Sequence, residues 1–362
     1  MPPFLRYALT RILSIPVTLL VVTAVLYGFI MLTPPKSRVM LYVSPGILMA
    51  LEKGNISQEQ FDNYIERTIV QYHLRDPYPV QYAIWLGSLV QGNWGFSPVI
   101  GSDVLPALIR RTPVTAELAI YSLLLFIPLG LVFGVSAGSR KDSRADQRFR
   151  LAAFIGTSMP PFILAIVLLS IFYVSMHWFP PERLGFASSQ VIRSPAFHAY
   201  TGLLTIDGLL NGQPGISLDA ARHLVLPVIT LSLVHWATLS RITRASIIEE
   251  LQKEYITAGK ARGISNRALV WKHAFRNTLS PALTSSILSA AALFTGIFVV
   301  EVIFNFRGVS DLIVSSIGDI PDPALALGFV IYSVVVVLIL MLALDIIQAL
   351  VDPRIREGIL TR

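Results

Sequence analysis

Long stretches of this chain carry no charged residue: Ile12–Leu32, Leu118–Ala137, Leu151–Met176, Leu224–Ser240, Leu279–Val300 and Ala324–Leu344. At about 1.5 Å rise per residue, roughly 20 helical residues cross a hydrocarbon layer about 30 Å thick. Backbone N–H and C=O groups in lipid must pair internally, and a helix does this within one segment. The pattern predicts an all-α integral membrane protein with six spans. The first run exceeds a signal-peptide core and is followed by Thr33-Pro34-Pro35, so it reads as a retained span. Pro160-Pro161 and Pro227 predict kinks in the third and fourth spans.

The polar stretches between the runs are unequal. In 33–114, Ser57 and Gln60 fit a capping box, and Phe61, Ile65, Ile69 and Tyr72 follow at helical spacing. Asp76-Pro77-Tyr78-Pro79 breaks that helix. Val80–Val90 predicts a second amphipathic one, with Tyr82, Ile84, Trp85 and Leu89 on its apolar side. Gly92-Asn93-Trp94-Gly95 reads as a turn. The expectation is a helical insertion that caps the span ends, docks a partner, or does both. Residues 180–222 hold prolines and glycines with little periodicity and read as a loop. Beyond the fourth run, Ile242, Ala245, Ile248, Leu251 and Tyr255 recur at steps of three and four, so that helix is expected to continue out of the membrane.

Composition agrees with the span count. Of 362 residues, 54% are apolar and 14% charged, against roughly 25% charged in soluble domains. Without cysteine there is no disulfide frame, thiolate metal site or cysteine nucleophile. The cations are unevenly placed: Arg140, Lys141, Arg144, Arg148 and Arg150 lie in 138–150. Arg241, Arg244, Lys253, Lys260, Arg262, Arg267, Lys272 and Arg276 lie in 241–280. Arg6, Arg11, Arg354, Arg356 and Arg362 lie near the ends. The positive-inside rule puts these loops and both termini in the cytoplasm. Arg110 and Arg111 go against the trend, on a long external loop where the rule weakens. The expected divisions are 1–32, 33–114, 115–179, 180–222, 223–304 and 305–362, alternating spans with the two external loops.

Ionisable residues near the spans are candidates for chemistry. His223 reads as an interface residue with a structural role. His235 either lines a pathway or bonds a backbone carbonyl, and Asp345 pairs with a basic loop residue. Glu117 and Glu301 sit at external span ends, where hydration or ion pairing is the default. No histidine pair has metal-ligand spacing, GxSxG is absent, and Gly259-Lys260 lacks the rest of a P-loop. The chain is thus expected to be non-catalytic, with no cofactor, no metal and no nucleic-acid partner.

The stretch Glu254–Ser265, "EYITAGKARGIS", remains to be explained. Gly259 and Gly263, four apart, would share one helical face. Each costs roughly 1 kcal/mol of helix propensity, which close approach of another backbone would offset. Gly263-Ile264-Ser265-Asn266 also looks like a helix stop, with Asn266 as the N-cap of a helix over Arg267–Arg276 that pairs Trp271 with Phe275. A short helix, smooth on one side and basic on the other, suits a cytoplasmic protein partner or a lipid headgroup surface.

The same stretch resembles the cytoplasmic loop signature of ABC importer permeases, Glu-Ala-Ala-three residues-Gly. "EYITAGKARGISNRALVWKHAFRNTLSPAL" is similar to the dipeptide/oligopeptide/nickel permease family, in its first-permease branch. Ala258, Gly259 and Gly263 fall on Ala, Ala and Gly, while Thr257 replaces the Glu. "LRYALTRILSIPVTLLVV", "DPYPVQYAIWLGSLVQGNWGFS", "SMPPFILAIVLLSIFYV", "RHLVLPVITLSLVHWATLSRITRASIIEEL", "VEVIFNFRG" and "LVDPRIR" extend the likeness over nearly the whole chain, with Arg307 in place of the usual Pro. The resemblance implies the type I importer permease fold with a helical extracytoplasmic insertion, in a bacterial or archaeal cytoplasmic membrane. It further implies a heterodimer with a second permease, two ATP-binding cassette subunits and an extracytoplasmic substrate-binding protein. Ala258, Gly259, Ala261, Arg262 and Gly263 would couple the chain to the ATPases. Peptides are the expected substrate, with nickel complexes or oligosaccharides as alternatives and a stand-alone secondary transporter as the rival class.

Overall fold

A computed structural model describes residues 3–43, 45–317 and 322–351. Arg354, Arg356, Arg362 and the C-terminal match therefore lie outside the described residues. The described chain is almost wholly helical: α1 (Pro3–Ile30), α2 (Pro45–Glu52), α3 (Gln58–Gln71), α4 (Tyr78–Val90), α5 (Val104–Gly138), α6 (Arg144–Ser158), α7 (Pro161–Ser175), α8 (Phe186–Ile192), α9 (Leu204–Leu210), α10 (Pro214–Glu250), α11 (Glu254–Ala261), α12 (Asn266–Ile303), α13 (Val309–Ser316) and α14 (Pro323–Val351). One antiparallel pair, β1 (Phe96–Ser97) and β2 (Ser102–Asp103), interrupts them.

Five of these helices, α1, α5, α10, α12 and α14, are long and apolar enough to cross a membrane. The sixth expected span is a broken pair, α6 and α7, bent by 103°. Pro160-Pro161 thus does more than kink the span. Pro160 is extended at φ −56° and ψ 140°, and Pro161 opens α7 as a first-turn proline. Pro227, by contrast, lies inside α10 without ending it.

The chain divides into two compact units. One consists mainly of 9–112 and 308–338. There Ser57 Oγ accepts the Gln60 N–H at 3.2 Å and Gln60 Oε1 accepts the Ser57 N–H at 2.9 Å, completing the capping box of α3. Phe61, Ile65 and Ile69 of α3 pack with Val39, Val43 and Leu74. On α4, Trp85 is buried with Tyr27 and Ile331. Gln81 is buried on the same helix, where it accepts from Arg38 Nη1 at 2.8 Å. The turn over 92–95 uses Gly92 and Gly95 at φ +83° and +87°. Arg110 and Arg111 lie not on a loop but within α5, and Arg111 pairs with Asp311 of α13 at 3.4 Å.

The other unit, mainly 113–307, is organised around α10. Glycines four apart on α5, Gly130, Gly134 and Gly138, face Leu239, Ser240, Thr243 and Ile247 of α10. A Cβ on Gly134 would sit 2.6 Å from the Ser240 carbonyl oxygen, so the backbones meet with no room for a methyl. Gly134→Ala is expected to cost about 1–3 kcal/mol, the range of an overpacked contact. Its melting temperature in detergent checks this, and a value equal to the parent's would show that the seam yields freely.

Residues 180–222 are not the expected irregular loop. They carry α8, α9 and the first turns of α10. Asp207 ties the segment by accepting the Thr201 N–H at 2.8 Å and the Gly202 N–H at 2.9 Å. Glu117 anchors it to α5. Only 1% exposed, Glu117 accepts Arg183 Nη2 at 2.8 Å and the Thr205 N–H at 2.9 Å. The ion pair expected of Glu117 is therefore present, whereas its hydration is not. Glu301 is equally buried and accepts from Thr115 Oγ1 at 2.5 Å. His223 is structural, its Nδ1 lying 3.1 Å from the carbonyl oxygens of Pro181 and Glu182. His235 is half-buried against the Phe126 ring, and Asp345 is buried on α14.

Candidate functional site

The site grows from the end of α10. The periodic run of Ile248, Leu251 and Tyr255 suggested one continuous helix, but α10 stops at Glu250 and Leu251 is its C-cap. The chain turns through 252–253 and re-enters a helix as α11, so Tyr255 belongs to a separate element. One side of α11 is tied down by Ile256, which is fully buried with Val135, Ile247, Leu269 and Ala274.

Gly259 is also on the buried side. A Cβ there would lie 2.6 Å from Leu269 Cδ2. The close approach inferred from its helix cost is real, but the neighbour is a side chain of this same protein, at the start of α12. Gly263 does not share its face. It lies beyond α11 at φ +78°, a left-handed conformation that glycine adopts without a Cβ penalty. The Ile264 N–H reaches the Gly259 carbonyl at 3.1 Å and the Gly263 N–H that of Lys260 at 2.9 Å. This pair of bonds is a Schellman termination, so the expected helix stop is present. The next helix is capped one residue earlier than expected, by Ser265, whose Oγ accepts the Ala268 N–H at 3.4 Å. Residues 266–303 then run on as one helix, with a π-helical stretch at Leu269–Ala274, so the separate helix over Arg267–Arg276 merges into the fifth span. Trp271 and Phe275 pair on it with ring centroids 5.6 Å apart.

Of the residues singled out in sequence, Ala258, Ala261, Arg262 and Gly263 are exposed together with Lys260, and Gly259 alone is buried. The solvent side of α11 is therefore small and basic, while its glycine faces inward.

Four residues absent from the sequence-based site hold α11 in place. Glu250, 8% exposed, accepts from Tyr255 Oη at 2.7 Å, from Asn277 Nδ2 at 3.3 Å and from Lys253 Nζ. One carboxylate thus joins the end of α10, the start of α11 and the first turns of α12. The bond to Glu250 raises the Lys253 pKa, and burial followed by donation to Glu250 raises that of the Tyr255 hydroxyl. Lys253 therefore stays protonated and Tyr255 remains a donor through neutral pH. A second tie lies nearby. Arg244 donates from Nε and Nη2 to the two oxygens of Asp146 at 2.6 and 2.7 Å, a bidentate pair whose carboxylate is fully buried. Asp146 also accepts the Asp142 N–H at 3.0 Å, and its own N–H is capped by Ser143.

The described chain thus combines long apolar helices with a short helix packed between the fourth and fifth spans. Residues 130–357 match the family described as "Binding-protein-dependent transport system inner membrane component", and the chain belongs to that family. It is 32% identical over 284 residues, 78% of this chain and 82% of the relative, to the di/tripeptide transport system permease protein DppB of Pseudomonas aeruginosa. It is also 32% identical to the oligopeptide transport system permease protein AppB of Bacillus subtilis, covering 88% of this chain and 92% of that one. With the dipeptide transport system permease protein DppB of B. subtilis the identity is 30%, over 97% and 98% of the two chains. The protein is thus a multi-pass inner-membrane permease subunit, a non-catalytic component of a transport system that works with a substrate-binding protein and an ATPase.

Proposed function

We propose that this chain forms half of the translocation pathway of an ATP-driven peptide importer, and that α11 is the element through which ATPase subunits move it. The observation that carries the reading is the form of α11. Its outer side offers Ala258, Lys260, Ala261 and Arg262, while Ile256, Gly259 and the Glu250 cluster fasten its inner side to α10 and α12. Small exposed side chains let a cleft close around a helix, and rigid fastening passes the resulting force to two spans. Peptides are the cargo class because the relatives are named for di/tripeptide, oligopeptide and dipeptide transport. The complete importer has a second, related permease, two ATP-binding cassette subunits and an extracytoplasmic binding protein. Both termini and α11 face the cytoplasm, consistent with the basic residues of 138–150 and 241–280.

The absence of cysteine makes a direct test simple. A single Ala258→Cys chain should react with a membrane-impermeant maleimide in inside-out vesicles, and the assembled ATPase subunits should block the reaction. Ala258→Glu in the assembled importer should reduce uptake by about 30-fold, the effect of an interface residue worth ~2 kcal/mol. Labelling only from the outside, or full labelling with the ATPases bound, would remove α11 from this role.

A further inference from the structure

The α6 helix has two faces of opposite character. Asp146, Phe149, Ala153 and Gly156 are buried at steps of three and four. They pack on α10 through the Arg244 pair, the Trp236 ring and Ala237. Leu151, Phe154 and Ile155 on the other side are 61%, 65% and 49% exposed. Just before them come Arg140, Lys141, Arg144, Arg148 and Arg150, all exposed.

The charge here is unbalanced. Asp146 is occupied by Arg244, with Arg150 more distant at 3.8 Å. Arg140, Lys141, Arg144 and Arg148 form no ion pair among the described residues, and Asp142 is the one other carboxylate within 140–155. The 103° bend sets α6 nearly across the direction of α7. With α6 and α7 together making up the broken third span, the cations of 140–150 fall at its polar end and Leu151, Phe154 and Ile155 just inside it. A helix that exposes cations at one end and Leu, Phe and Ile along its outer side suits the boundary between headgroups and acyl chains.

We infer that residues 140–155 bind an anionic phospholipid. Arg140, Lys141, Arg144 and Arg148 face its phosphate headgroup, and Leu151, Phe154 and Ile155 lie under its acyl chains. The positive cluster selects the charge, and the adjacent apolar side chains favour a lipid over a soluble anion or an acidic protein surface, which would leave them wet.

The test uses the assembled importer in detergent, with phosphatidylglycerol, phosphatidylcholine and inorganic phosphate as probes. Lipid retention is read by native mass spectrometry and stabilisation by thermal melting. Phosphatidylglycerol should be retained and should raise the melting temperature, whereas phosphatidylcholine and phosphate should not. Each cation near an anionic surface is worth about 5-fold in affinity, so Arg144→Gln/Arg148→Gln should weaken phosphatidylglycerol retention by roughly 25-fold. Arg144→Lys/Arg148→Lys should keep most of it, which separates lost charge from lost folding. Phe154→Ser should weaken retention without changing the preference for negative charge. Unchanged retention in the glutamine variant overturns the proposal. So does equal stabilisation by inorganic phosphate, or loss of the ATPase subunits from that variant while the lipid stays bound.

Discussion

Asp146→Ala is expected to lower the stability of the folded chain by about 3–5 kcal/mol, the usual loss when one partner of a buried ion pair is removed. The carboxylate is fully buried and Arg244 is 18% exposed, so solvent replaces little of what the guanidinium loses. The Asp142 N–H loses its acceptor as well. Arg244 sits on α10 less than two turns before Glu250, so the damage should extend to the mounting of α11. Denaturation in a fixed detergent measures the loss. Asp146→Ala/Arg244→Leu should recover part of it, since the stranded charge contributes much of the cost. Arg150→Ala is the control. At 3.8 Å and 51% exposed, Arg150 should change stability by no more than about 0.5 kcal/mol. A double variant no better than Asp146→Ala would mean that packing, not the unpaired charge, sets the loss.

Gly259→Val should break transport while sparing ATP hydrolysis. Its first added carbon would fall 2.6 Å from Leu269 Cδ2, so α11 must lift away from the start of α12 or Leu269 must turn aside. Either response loosens the connection between α11 and the fifth span. Changes along a coupling route are worth about 0.5–2 kcal/mol, which corresponds to an uptake loss of up to ~30-fold. Leu269→Ala on the same chain makes room for the valine and should restore most of the uptake. Uptake and ATPase rates of the reconstituted importer decide the matter. Wild-type uptake by the valine variant, or failure of Leu269→Ala to rescue it, would separate this contact from force transmission.

What was readable in the sequence follows the range of the interactions involved. Charge-free runs located the spans because lipid imposes its demand on each helix separately. The capping box of Ser57 and Gln60 and the stop at Gly263 were legible because their hydrogen bonds reach only three to five residues along the chain. The end of α10 was not, because Ile248, Leu251 and Tyr255 keep a helical period across the break at 251–253. For Glu117 the sequence leaves hydration and ion pairing both open, because its partners, Arg183 and Thr205, lie 66 and 88 residues away. Neither α8 nor α9 has strong periodicity, and ties such as Gly185 N–H to Asp219 and Thr205 N–H to Glu117 reach well beyond either helix. Around α11 the spacing marks the glycines but not their directions. Spacing places Gly259 and Gly263 four apart, yet only the positive φ of Gly263 shows that the helix has already ended. The glycine seam of α5 did carry a sequence signal, in the four-residue repeat of Gly130, Gly134 and Gly138.

The meeting of three helices on Glu250 fixes where this subunit does not bend. Lys253, Tyr255 and Asn277 all bond the one acid, so the corner between the fourth and fifth spans is tied across. On the role proposed for α11, a tug on it tilts both spans as a single piece, like a crank cast with its shaft. The 103° elbow at Pro160-Pro161 lies outside this tied corner and leaves the chain a separate place to swivel.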